Sequence, residues 1–113
     1  MATRKIGASY ILLPGHPLAR GGHVLWRAGE EPVIVEGRGA TREEEALEFH
    51  GGMIVAGFIS DAVAGWQPGD SILERVMAAY ALRQQPARDL LLLQGVDWET
   101  LAWTARGHIT KLT

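Results

Sequence analysis

Residues 53–59 (MIVAGFI) carry no polar side chain at any position. A run this short reads as a strand, and one without polar alternation reads as a strand shielded from water on both faces. Just before it, residues 46–49 form another candidate strand, and Gly51-Gly52 between the two reads as the turn of a strand pair. The second strand of the pair is expected to run over residues 53–60.

The rest of the chain fits around that pair. Upstream, residues 5–13 (KIGASYILL), 23–27 (HVLWR) and 33–36 (VIVE) are rich in strand formers and separated by Gly and Pro. Such punctuation is an all-β signature. Residues 41–45 (TREEE) place Thr41 and Glu44 at capping-box spacing, which suits either a single helical turn or a solvated acidic loop. The texture changes after Ala64. Ser71 and Glu74 form a capping box, and Asp70 adds negative charge where a helix dipole favours it. Ile72, Leu73, Val76, Met77, Tyr80 and Ala81 then recur at helical spacing, which predicts one amphipathic helix over 71–84, closed off by Pro86. Residues 89–94 (DLLLLQ), 99–104 and 108–113 read as closing strands. The expected architecture is a single mainly β domain over 1–113. Its N-terminal strands lie in 1–60, a linker and helix in 65–86, and C-terminal strands in 87–113.

Bulk properties remove several classes of function. A chain of 113 residues suits one domain and is far too short for a (β/α)₈ barrel of about 250 residues. A net charge of −2 gives no field for nucleic acid or an anionic membrane, and the arginines are scattered among acids without a basic stripe. No run approaches the roughly 20 apolar residues needed to span a bilayer, and residues 6–13 are too short and mixed for a signal sequence. The absence of cysteine removes disulfides and thiolate chemistry and fits a cytoplasmic location.

Individual motifs add little chemistry. His16, His23, His50 and His108 contain no i,i+2 or i,i+4 pair that would chelate a metal locally. Residues 37–42 (GRGATR) begin like a phosphate loop but lack the third glycine and run into Glu43, Glu44 and Glu45. Ser71 has no nucleophile elbow, so helix capping explains it. Four tryptophans, Trp26, Trp66, Trp98 and Trp103, are many for so small a domain, and tryptophan is enriched at contacts as well as in cores.

Residues 47–64 (LEFHGGMIVAGFISDAVA) also carry a resemblance. Their order of apolar residue, Glu48, aromatic Phe49, glycine, apolar run and Gly57-Phe58 is similar to the segment by which amidohydrolase-superfamily enzymes enter their catalytic barrel. The branch it resembles is the cytosine-deaminase-like and aminodeoxyfutalosine-deaminase-like one. Residues 89–97, 101–104 and 109–112 look like the closing strands of the same enzymes. There the two ends of the chain form one composite β-sandwich and the barrel is inserted between them. Here the barrel is missing, so the resemblance implies a small composite β-sandwich of the N- and C-terminal strands with the helix over 71–84 between them.

The resemblance implies zinc or iron held by a His-x-His pair, and those positions read Ala62 and Ala64. In an alternative alignment, supported by Gly69-Asp70-Ser71-Ile72-Leu73, Asp61 sits where the family keeps a metal-binding, proton-shuttling aspartate. In either alignment a hydrolytic zinc needs about three protein ligands and an open position, so no cofactor is expected and Asp61 is the single catalytic candidate. The expected function is a non-catalytic binding or assembly module. Removing the barrel should bare an apolar patch, to be covered by the helix or by a second copy of the chain. Trp66, Ile72, Val76, Met77 and Tyr80 are the candidate interface, and the expected partner is a second copy (a homodimer) or a related enzyme. The alternative is a reduced metal-dependent hydrolase acting on C–N bonds, with Asp61 and a histidine such as His50 in a site between subunits.

Overall fold

The computed structural model of the chain describes residues 3–36 and 47–113. Among these, seven strands join in one mixed sheet, in the order β4-β3-β1-β5-β6-β7, with β2 paired to β1 beside β3. The strands are β1 (Arg4–Leu12), β2 (Ala19–Arg20), β3 (His23–Trp26), β4 (Val33–Val35), β5 (Leu47–Ala56), β6 (Leu90–Gln94) and β7 (His108–Lys111). A 3-10 turn (Gly57–Ile59) and two helices, α1 (Ser60–Val63) and α2 (Ile72–Leu82), lie between β5 and β6. The protein is therefore mainly β, with the amphipathic helix between N-terminal and C-terminal strands, as the sequence predicts. The two sets of strands meet where β5 pairs antiparallel with β6, Met53 opposite Leu93 and Ala56 opposite Leu90.

The apolar run is buried as its composition demands. Met53, Ile54, Val55 and Ala56 are fully buried, together with Ile11 on β1 and Leu90 and Leu93 on β6. The predicted break at Gly51-Gly52 is different in the structure. Residues 47–56 form one strand, paired in parallel with β1 from Lys5–Leu47 to Leu12–Val55. The glycines mark a bulge: between the pairs Ala8–His50 and Tyr10–Met53, β1 advances two residues and β5 advances three. Gly52 takes φ +145°, and a Cβ there would lie 2.5 Å from the Leu93 carbonyl oxygen. The close approach of β6 leaves room only for glycine at this position, and a hairpin turn would have sent residues 53–56 away from β1.

Two further expectations change. The second strand of the supposed pair ends at Ala56, and residues 57–63 turn helical. Residues 99–104 form no strand. Leu101 holds a left-handed φ of 54° and its carbonyl accepts the Ile72 N–H at 2.9 Å. The segment is thus shaped by the first turn of α2, whose N–H groups lack partners within the helix. Ser71 Oγ accepts from the Glu74 N–H at 3.3 Å, so the predicted cap is present. The candidate turn at 41–45 and the loop at 37–42 lie outside the described residues.

α2 packs through Ile72, Val76 and Tyr80. The Tyr80 hydroxyl donates to the Leu12 carbonyl and accepts the Ala56 N–H at 3.0 Å, tying together the ends of the two central strands. Arg4, the first residue of β1, makes a second set of ties. Its Nε and Nη2 each donate to the Glu48 carboxylate at 2.8 Å, and its Nη1 donates to the Leu112 carbonyl at 2.8 Å. No helix of the described residues is long and apolar enough to cross a membrane.

Candidate functional site

The end of β5 and the start of β6 meet at Gly57 and Asp89. The Gly57 N–H donates to the Asp89 carbonyl at 2.8 Å, and α1 and α2 fill the interval between them.

Two depressions flank the junction. The larger, a cleft of about 700 Å³, is lined by residues that include Phe58, Ser60, Arg88, Asp89, Ile109 and Lys111. Much of its polar lining is occupied by the fold. Arg88 donates to the Gly29 carbonyl, its own carbonyl accepts from Trp26 Nε1 at 2.7 Å, and an Asp89 carboxylate oxygen accepts from the Thr113 hydroxyl. The smaller, about 260 Å³, is formed mainly by apolar atoms of Phe58, Ile59, Ala62, Ala79 and Leu82, with Asp61 and Arg83 beside them.

The predicted catalytic candidate lies at this second depression. Asp61 stands in the first turn of α1 with its side chain 84% exposed and its carboxylate 3.6 Å from Arg83 Nη2. Arg83 also donates from Nη1 to the Phe58 carbonyl at 2.9 Å. His50 is remote, since the extended stretch from His50 to Ala56 spans about 20 Å before the chain reaches α1. A single chain does not bring Asp61 and His50 together. The residues at the expected His-x-His positions do not fit a hydrolytic metal. Ala62 and Ala64 offer no donor atom, and the Asp61 carboxylate already faces a guanidinium. Among the described residues, no three His, Cys, Asp or Glu side chains converge on a common point.

The candidate interface residues divide sharply. Trp66, Ile72, Val76 and Tyr80 are buried within the chain, at 0–8% exposure, while Met77 is 54% exposed. The helix thus uses its apolar stripe to cover the sheet. The tryptophans are also engaged internally. Trp66 meets Trp103 edge-on at 5.2 Å, Trp98 stacks on Tyr10 at 5.5 Å, and Trp26 lies beneath the Arg4 guanidinium.

What the predicted stripe leaves out is Leu82. It is 86% exposed, the highest value among the large apolar residues described, and it sits off the line of Ile72, Val76 and Tyr80 on the helix. A leucine off the buried stripe of an amphipathic helix is a signal that the sequence does carry. Arg83 carries no such signal, because its meeting with Asp61 is purely tertiary. Comparison with known proteins adds no family: the chain matches no family model, no curated protein and no solved structure.

Proposed function

We propose that this chain is a non-catalytic assembly module, a stand-alone composite β domain of the amidohydrolase type that works by associating with a second copy of itself. The supporting observation is the closed junction. β5 and β6, the strands that would carry the chain into and out of a barrel, are joined by the Gly57–Asp89 hydrogen bond, with a short helical segment in place of the catalytic domain. The face left beside that junction holds exposed apolar side chains and an exposed ion pair, which is binding chemistry, and no grouping of acid, base and nucleophile.

Light scattering of the purified protein at micromolar concentration, with elemental analysis of the same sample, tests this. A metal-free dimer is the expected result. A monomer would overturn self-association. Stoichiometric zinc or iron would overturn the non-catalytic role and bring the reduced hydrolase forward.

A further inference from the structure

We infer that the self-association surface is the depression walled by Phe58, Ala62, Ala79 and Leu82, and that a second copy docks there about a two-fold axis with Asp61 of each copy facing Arg83 of the other. The inference rests on the self-association reading and names its surface.

Three observations converge on this face. Leu82 and Ala62 are exposed apolar residues on separate helices, α2 and α1, and they wall the same groove. The groove lies beside the junction where a barrel would be attached, and Phe58 lines both it and the larger cleft. Its charged rim is a matched pair of opposite sign, Asp61 and Arg83, with side chains 84% and 52% exposed and only 3.6 Å apart within the chain.

Two-fold symmetry selects the occupant. In an isologous interface residue i of one copy meets residue j of the other, and j meets i. A face bearing one acid and one base beside an apolar groove is therefore complementary to itself. A strongly acidic or basic partner would find only half of that rim favourable. The intrachain pair is long and largely solvated, so it resists a change of partner weakly. In the dimer each charge gains a second opposite charge while Leu82 leaves water.

The test exchanges charges. Asp61→Arg gives a face with two cations, and Arg83→Asp gives a face with two anions. Each variant alone should dimerise at least tenfold more weakly than the parent, because the axis repeats every repulsive contact twice. Mixed in equal amounts, the two variants should form a heterodimer, read by native mass spectrometry with one chain isotopically labelled. The intrachain pair is absent from both variants, so its loss cannot generate association on mixing. Circular dichroism of each variant confirms the fold, and Leu82→Glu provides an independent break of the same groove. If the parent dimerises while all three variants dimerise equally well, or the mixture stays unassociated, this surface is wrong and self-association itself survives. A monomeric parent removes both.

Discussion

The bond made by Tyr80 is the most exacting local feature of the fold, and removing one oxygen atom tests it. The hydroxyl is held between the Leu12 carbonyl and the Ala56 N–H, and the residue is only 8% exposed. Tyr80→Phe keeps the ring, its packing against Phe58 and the helix itself. It leaves one buried backbone acceptor and one buried backbone donor without this partner at the ends of the two central strands. A buried group stripped of its partner costs about 1–3 kcal/mol, offset in part because the phenol no longer has to leave water. The expected loss is about 2–3 kcal/mol. For a domain of this size that lowers the melting temperature by about 8–12 °C and shifts a urea midpoint with little change in slope.

pH supplies a second readout of the same atom. Burial pushes the Tyr80 hydroxyl above its ordinary value of 10.0, against a smaller opposing effect of its bond with the Ala56 N–H. The raised value means the native state keeps a proton that the unfolded chain releases. The contribution is therefore complete below pH 10 and is lost as pH rises beyond it, at up to about 1.4 kcal/mol per pH unit. The phenylalanine variant lacks that component, so the two stability curves should converge in strong alkali. A loss under about 0.5 kcal/mol at neutral pH, with parallel curves above pH 10, would refute the idea that the hydroxyl ties β1 to β5.

Other expectations follow from the same geometry. Gly52→Ala should cost about 3 kcal/mol or more by urea unfolding, since its φ of +145° disfavours a side chain and the new Cβ would meet the Leu93 carbonyl at 2.5 Å. Val76→Ala should cost about 2 kcal/mol and Met77→Ala less than about 0.5, a contrast between neighbouring helix positions that checks which face of α2 is buried. The Arg4 hydrogen bonds hold the Glu48 carboxyl below its ordinary value of 4.5. Their stabilisation is present above that value and disappears as pH falls through the lowered one. Both side chains are over one third exposed, so Glu48→Gln should cost about 1 kcal/mol or less at pH 7. That difference should vanish in an acid titration of stability.

The elements readable from sequence are those whose cause is local. β1, β3, β4, β6, β7 and α2 follow from alternating or periodic apolar residues, from Gly and Pro between them, and from Ser71 as a cap. The errors share an opposite cause. Gly51-Gly52 fits a turn or a bulge equally well until β6 is brought against it. Residues 99–104 alternate like a strand, yet the unpaired N–H groups of α2 take the Leu101 carbonyl. The four residues of α1 are too few for a periodic signal. At the candidate site the exposure of Leu82 was legible from its place off the stripe. The approach of Arg83 to Asp61, across 22 residues of sequence, depends on how α2 returns over the sheet.

The parallel pairing of β1 with β5 also governs how the chain reaches this state. Lys5 lies opposite Leu47, and no turn between adjacent segments can bring them together. The flanking pairs are closer in sequence: β3 joins β4, and β6 joins β7, each within about 20 residues. Local hairpins should therefore form early, while the centre of the sheet waits for loop closure between distant segments. Until that step the chain displays the apolar edges of β1 and β5. The period of greatest exposure to aggregation thus falls before the middle of the sheet is sealed, and refolding yield should fall with protein concentration even when the folded domain is stable.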